Sequence, residues 1–214
     1  YPPGSTLKPI VYAVAATAGV IDDDQRFTCG GQMPHREKGF RCWGWRPLEG
    51  KFLTHGELAP PEAIAHSCNI YFYSCGRAFW LDGGPDGVSR MIRLLRDFGF
   101  GRRSGLGLPD ESPGILPDAH GGNIAGRGLD ENNAMLMGIG QGPIAVPPLQ
   151  VAAAHAALAR GGVYRTPRLM DLDEPAEPVD LNIPGPVIER TLAGMHASAN
   201  ADYGTGHHIT LETG

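Results

Sequence analysis

The sequence lacks several features that would place the chain in whole classes of protein. It has no run of five basic residues, and 18 basic against 23 acidic side chains give a formal net charge of −5. A nucleic-acid partner requires a concentrated basic surface for its phosphates, so we expect none. The longest apolar stretch, Ile10 to Ile21, contains Thr17 and Gly19. It is shorter than the about 20 residues that cross a bilayer, so we expect no membrane span in this sequence.

Cysteine is scarce as well. The four cysteines form no CxxC pair and are too few for a disulfide scaffold. The sequence starts at Tyr1 rather than Met, has no charged leader followed by an apolar segment, and stops at Gly214 just after a strand-like run. We therefore expect a fragment of a longer polypeptide.

The 214 residues are 42% hydrophobic, which suits one globular domain or most of one. Apolar periodicity, with proline or a capping residue before a segment and glycine after it, predicts most of the helices. Ser5 is the expected cap of the first of them. Residues 22–58 show no sustained period and predict a long irregular insertion, and such loops tend to be functional. The predicted helices are 5–18, 60–65, 70–80, 86–98, 147–161 and 187–200, with a loop at 99–132 and a strand at 207–213.

Ser5 and Lys8 are three residues apart on the first predicted helix, so their side chains share one face. A hydroxyl beside an amine can act as a nucleophile with its base, provided that burial or a nearby cation lowers the pKa of Lys8. The apolar run after Lys8 could supply the burial. The ordinary alternative is a capping serine and a solvated lysine, since SxxK alone is a weak signal.

Two further polar groups complete a set. Ser67 and Asn69 interrupt two apolar helical segments, where a simple loop with a capping asparagine is the alternative. Thr213 and Gly214 end the strand-like run, where glycine would let a substrate backbone approach a strand edge. In this order, SxxK, SxN and xTG form the signature of acyl-serine, penicillin-recognising enzymes.

Longer segments strengthen this signature. Residues 1–9 (YPPGSTLKP) resemble the SxxK segment of penicillin-binding protein transpeptidase domains, and residues 67–73 (SCNIYFY) resemble their SxN segment. The blocks at 107–117, 138–142 and 148–162 are similar to further parts of the family. Phe27-Thr28-Cys29, Arg41-Cys42-Trp43 and His55-Gly56 most resemble the class B enzymes of the elongation, or rod-shape, type.

The resemblance implies an α+β fold of the serine β-lactamase and D,D-transpeptidase type. Residues 1–214 would be a partial transpeptidase domain, mainly its helical lobe plus one strand of the central antiparallel sheet, with the insertion at about 22–58. It implies a peptidoglycan D,D-transpeptidase on the outer, periplasmic face of the bacterial cytoplasmic membrane, with a membrane anchor outside this sequence. Its partners would be peptidoglycan stem peptides, β-lactams and the glycosyltransferase of the elongation machinery.

Roles follow from the same resemblance. Ser5 would attack the carbonyl of the penultimate D-Ala, Lys8 would accept its proton, and an acyl-enzyme would form. Ser67 would relay a proton to the leaving group and Asn69 would hold the substrate amide. The Ser5 N–H would supply half of the oxyanion hole, with the other half two residues beyond Gly214.

Glu212 departs from the family pattern, which has lysine before Thr-Gly. Only Lys8, Lys38 and Lys51 exist in the chain, so no shifted alignment supplies that lysine. A carboxylate would repel the substrate's terminal carboxylate and raise the pKa of Lys8, and both effects oppose catalysis. His207 or His208 could compensate if either reaches the cleft; alternatively, the chain is a degenerate paralogue that binds stem peptides or acts as a scaffold.

The resemblance implies no required cofactor but suggests a loop metal site. Cys29, Cys42, His55 and Cys68 could bind a tetrahedral, structural zinc ion that ties the insertion to the active-site wall, although their spacing is not diagnostic. A Cys29–Cys42 disulfide competes with zinc, because the family works in an oxidising compartment. Cys68 and Cys75 could also be buried small apolar residues.

A serine β-lactamase or a carboxypeptidase is the other enzymatic alternative. Either would need an activated deacylating water, and no base for that water is evident in the sequence. The Tyr-Pro-Pro-Gly context also favours the biosynthetic enzymes.

Overall fold

Helices make up most of the regular structure in the computed structural model. The structure describes residues 1–34, 36, 39–44, 54–106, 109–117, 128–170 and 176–208. Within them a 3-10 turn at Gly4–Leu7 leads into the first helix, and short antiparallel strands accompany the helices. The helices are α1 (Lys8–Thr17), α2 (Pro60–Ala65), α3 (Asn69–Leu81), α4 (Pro85–Asp97), α5 (Glu131–Gly138), α6 (Pro148–Ala159) and α7 (Gly185–Asn200); the strands are β1 (Phe27–Cys29), β2 (Gly56–Leu58), β3 (Val163–Tyr164) and β4 (Val179–Asp180).

Helix α1 lies at the centre of the core. Every residue from Lys8 to Ala15 is buried, and the helix contacts α3, α4 and α7. A helix that is apolar on all sides must be surrounded by other elements, and this one is. Among the helices described, none combines the length and the apolar character needed to cross a membrane.

Glycines allow α3 and α5 to approach each other at backbone distance. A Cβ at Gly76 would collide with the Ala134 carbonyl, and a Cβ at Gly138 would collide with the Phe72 carbonyl. The glycines are therefore required by packing rather than by backbone conformation. This contact fixes the start of the segment that follows α5.

The strands form two small antiparallel pairs. Cys29 at the end of β1 lies opposite Gly56 at the start of β2, and Val163 of β3 lies opposite Asp180 of β4. The pairing of β1 with β2 joins the two ends of the insertion. It therefore brings Cys29 close to His55, the residue before β2.

Most of the predicted helices are confirmed, and their ends lie within two or three residues of the predicted ones. The loop predicted at 99–132 is irregular up to residue 130 where it is described. Helix α5 and the strands β1 to β4 were not predicted. Helix α5 begins with a capping box, in which Asp130 accepts from the Asn133 N–H and Asn133 accepts from the Asp130 N–H. The strands β1 and β2 lie inside the insertion, which was expected to be irregular. The strand predicted at 207–213 is not seen at His207 and His208, which lie in a turn, and its remaining residues are outside the described part.

Candidate active site

The turn before α1 presents Ser5 to the solvent. Gly4 has a φ of +58°, which glycine adopts at little cost, and its N–H donates to the Gly140 carbonyl at 2.9 Å. No side-chain cap exists at either the turn or α1, so the prediction that Ser5 caps the helix is wrong. Among the residues that the structure describes, the Ser5 hydroxyl has no hydrogen-bond partner, which leaves it available to a ligand.

Lys8 is buried rather than solvated, with 1% of its surface exposed. Its Nζ atom donates to the Ser67 carbonyl at 2.6 Å, to Ser67 Oγ at 2.9 Å and to Asn69 Oδ1 at 2.7 Å. It also lies 5.5 Å from the centre of the Phe72 ring. The first two motifs of the sequence are therefore joined through one ammonium group.

Burial lowers the pKa of Lys8 to about 8, and the sulfurs of Cys68 and Cys42 act against this by raising it. A buried amine loses hydration that its charged form needs, which explains the direction. At a pKa near 8, roughly a tenth of the molecules carry a neutral Lys8 at pH 7. The lysine can thus serve as a base near physiological pH.

Ser67 and Asn69 owe their positions to the sharp junction between α2 and α3. Ser67 has a φ of +49°, which is rare for a residue with a side chain. Asn69 does not cap α3, as the alternative interpretation had it, because no side-chain cap is present there. Instead its Oδ1 accepts from Lys8, while its Nδ2 donates to the Arg41 carbonyl at 3.1 Å. Asn69 therefore connects the lysine to the insertion.

A cleft of about 440 Å³ brings Ser5, Ser67 and Asn69 together. The rest of its described lining was not predicted from the sequence and consists of Trp43, Ile139, Gln141 and Thr205. Trp43 is 54% exposed, and its indole N–H donates to the His66 carbonyl at 2.8 Å. A large aromatic residue is seldom so exposed. The tryptophan in the Arg41-Cys42-Trp43 segment was therefore the feature of the sequence that could have indicated this part of the cleft.

Glu212, Thr213 and Gly214, the predicted third motif, lie outside the described residues. Thr205 lies closest to them in sequence among the residues that line the cleft, and its N–H donates to the Ala65 carbonyl at 3.1 Å. The His207 ring lies against the Gly204 carbonyl. Neither His207 nor His208 belongs to the described lining of the cleft, so the structure gives no support to a compensating histidine.

A cluster of three thiols and one imidazole lies behind the cleft. The ligand atoms of Cys29, Cys42, His55 and Cys68 are all within 4.8 Å of one another. Cys42 Sγ is 3.5 Å from His55 Nδ1 and 3.9 Å from Cys68 Sγ. Tetrahedral zinc with bonds of about 2.3 Å to sulfur and 2.0 Å to nitrogen would need separations of about 3.8 Å and 3.5 Å. These two separations match a tetrahedral zinc site, and the other distances within the cluster are at most 4.8 Å.

The cysteines are not cross-linked. All four are free in the structure, so Cys29 and Cys42 do not form the competing disulfide. Hydrogen bonding with Cys29 lowers the pKa of Cys42 and raises the pKa of His55 to about 9. A lowered thiol pKa favours the thiolate that a metal binds, whereas hydrogen bonding with Cys29 and Cys42 raises the pKa of Cys68. Cys75 lies on α3 apart from the cluster and is fully buried, as a small apolar residue would be.

Comparison with known families identifies the family of the chain. A family model described as the penicillin-binding protein transpeptidase domain matches residues 1–213. The chain belongs to this family. The penicillin-binding protein fold expected from the sequence is therefore confirmed.

Individual relatives place this transpeptidase chain among the elongation-type members, as its sequence predicted. It is 32% identical to the peptidoglycan D,D-transpeptidase MrdA of Haemophilus influenzae, over 96% of this chain and 32% of that protein. The structure matches PBP2 of Pseudomonas aeruginosa in complex with WCK 5153 at a TM-score of 0.78 and 26% identity, covering 98% of this chain and 47% of the other. PBP2 of Helicobacter pylori in complex with MreC gives 0.79 and 26%, covering 99% and 37%. The chain thus spans about a third of the length of the curated relatives it matches.

Proposed function

We propose that this chain is the acylating part of a peptidoglycan D,D-transpeptidase. The observation that carries the proposal is the buried Lys8 amine, which donates hydrogen bonds to Ser67 and Asn69, two residues that line a cleft together with the exposed Ser5. A surface lysine next to a capping serine would show none of these contacts. The substrate would be a stem peptide that ends in D-Ala-D-Ala, and β-lactams would react as its mimics.

The residues can perform the steps in order. Three oxygens accept hydrogen bonds from Lys8 Nζ, but a neutral amine has only two N–H groups. When Lys8 is neutral, one of these hydrogen bonds is therefore lost. The nitrogen lone pair then becomes available to the Ser5 hydroxyl. Ser5 Oγ then attacks the carbonyl carbon of the penultimate D-Ala and its proton passes to Lys8. The tetrahedral intermediate collapses, and the C–N bond to the terminal D-Ala breaks.

The remaining steps concern protons and the acceptor. Ser67, bonded to Lys8, relays the proton to the nitrogen of the leaving D-Ala. Asn69 holds the substrate amide, and the Ser5 N–H stabilises the oxyanion. An amine from a neighbouring stem peptide then attacks the acyl-enzyme, returns a proton to the site and releases Ser5 with the cross-link formed.

Acylation by a fluorescent penicillin tests this proposal. The full-length protein should acquire a label that survives denaturation, and Ser5→Ala should remove it. Absence of labelling would refute the proposal and favour a scaffolding paralogue, the candidate supported by Glu212 in place of lysine. Rapid loss of the label with hydrolysis of the drug would instead indicate a β-lactamase. If Glu212 limits the rate, Glu212→Lys should increase acylation.

We also propose that Cys29, Cys42, His55 and Cys68 hold one structural zinc ion, which would fix the insertion against the α2–α3 junction. Protein purified without chelator should contain one zinc per chain by elemental analysis. Cys29→Ser should lose the metal, whereas Cys75→Ala, at a buried cysteine outside the cluster, should retain it. Equal zinc content in the two variants would refute the assignment.

By similarity to its relatives, we propose that the domain acts on the outer face of the bacterial cytoplasmic membrane, anchored through a part of the protein outside this sequence. One solved PBP2 is in complex with MreC, and another related structure is a peptidoglycan synthase complex. A shape-determining partner and a glycosyltransferase are therefore the partners to test, by co-purification with the full-length protein.

A further inference from the structure

The turn that carries Ser5 is fixed by hydrogen bonds on both sides of the serine. The Gly4 N–H donates to the Gly140 carbonyl at 2.9 Å, and the Thr6 carbonyl lies 2.8 Å from His155 Nε2. Because a carbonyl oxygen can only accept, Nε2 carries the proton and donates it. The residues directly before and after Ser5 are therefore both held from outside the turn.

Backbone groups supply most of this support. The Val146 N–H donates to the Tyr1 carbonyl at 2.8 Å, and the Lys8 N–H donates to the Ser5 carbonyl. A Cβ at Gly140 would collide with the backbone of Gly4, so the segment between α5 and α6 fits closely against the turn. Among the described residues, His155 provides the only side-chain hydrogen bond to this turn from another helix.

Packing alone does not explain a histidine at position 155 of α6. The buried side chains of this helix are mostly small or apolar (Gln150, Ala153, Ala154, Ala157 and Leu158), and His155 is only half-buried. An apolar side chain at this position would leave the Thr6 carbonyl without this donor. The imidazole therefore has a function that its polarity, not its volume, provides.

We propose that His155 is a positioning residue for acylation, which holds the Thr6 peptide and thereby orients both Oγ and N–H of Ser5. The inference rests on the proposed transpeptidase function. Reacting atoms must lie about 3 to 3.5 Å apart with aligned orbitals, and a displacement of about 1 Å can cost about 100-fold in rate. Since His155 is not among the described residues that line the cleft, its loss should change the rate of acylation and not the binding of substrate.

The test compares His155→Leu with His155→Gln, whose side-chain amide can place an N–H close to the position of Nε2. With a fluorescent penicillin, the acylation rate constant should fall at least tenfold in His155→Leu and return to within about threefold of wild type in His155→Gln. The dissociation constant of the pre-covalent complex should change less than twofold. His196→Leu, at an exposed position on α7, is the matched control and should leave both constants unchanged.

Hydrogen exchange measured by mass spectrometry separates this inference from the proposed function. His155→Leu should accelerate exchange in the peptide that contains Gly4–Leu7 and leave α3 unchanged. If the wild type is not labelled by penicillin, the proposed function fails, but exchange still decides whether His155 holds the turn. Unchanged exchange in His155→Leu, an unchanged acylation rate, or no recovery in His155→Gln would each overturn the positioning role.

Discussion

The pKa of Lys8 predicts how acylation of Ser5 depends on pH. Burial lowers that pKa to about 8, and only the neutral amine can accept the Ser5 proton. The neutral fraction is about 9% at pH 7, about 50% at pH 8 and about 91% at pH 9. The acylation rate constant should therefore rise about tenfold from pH 7 to pH 9 and then level off. An ordinary exposed lysine would give a rate that still rises tenfold per unit at pH 9.

Stopped-flow acylation with a fluorescent penicillin, from pH 6 to pH 10, measures this profile. Loss of the drug in buffer alone is subtracted at each pH, and circular dichroism confirms that the fold persists. Lys8→Arg keeps a cation that does not deprotonate in this range, so it should show no acylation. A rate that is independent of pH, or one that still rises steeply between pH 9 and pH 10, would show that the base is not a buried Lys8 with a lowered pKa.

Substitutions at three further positions test the junction beside Lys8, the packing around Gln150 and the lining of the cleft. Ser67→Gly and Ser67→Ala should both slow acylation at least tenfold. In urea unfolding, the glycine variant should be more stable than the alanine variant by about 1 kcal/mol, because a backbone φ of +49° favours glycine. Equal stabilities of the two variants would show that the backbone of residue 67 is not strained. Gln150→Leu removes three buried hydrogen bonds to residues 101–113 and should lower the melting temperature by about 5 to 10 °C, measured by calorimetry. Trp43→Ala should weaken binding of a bulky β-lactam about five- to tenfold in titrations without changing the acylation rate constant, since the ring lines the cleft and is not a hydrogen-bond partner of the Lys8 amine among the described residues.

The helices were predictable because their ends carry local signals. Proline at the start of α2, α4 and α6 cannot continue a preceding helix, and Gly99 and Gly161, with φ of +92° and +71°, stop α4 and α6. Helix α5 was missed because it is short and its capping box uses asparagine in place of glutamate or glutamine. β1 and β2 are three residues each and pair across a long separation, which no local pattern reveals.

The site was predictable as residue types but not as geometry. The spacing of Ser5 and Lys8 suggested a direct pair, and the order of the motifs suggested that Ser67 and Asn69 join them. The structure instead directs the Lys8 donors to Ser67 and Asn69. The contacts of Ser67 and Asn69 with the Lys8 amine depend on the left-handed backbone of Ser67. A serine at this position does not predict that backbone conformation.

The α2–α3 junction explains why the insertion and the active site cannot be separated physically. Ser67 and Asn69 contact the Lys8 amine, while Cys68 between them contacts Cys42 of the insertion. Because neighbouring side chains of the junction point to different partners, a shift of the thiol cluster must also move the groups around the lysine.

A second contact holds the same insertion from the other side. Glu131 at the start of α5 forms ion pairs with Arg36 of the insertion and Arg77 of α3, each at 2.6 Å. These charges are partly exposed, so each pair contributes at most about 1 kcal/mol. The ion pairs can orient the insertion, but they are too weak to hold it in place of the thiol cluster. Loss of the thiol cluster should therefore move the groups that surround the Lys8 amine even when both ion pairs remain.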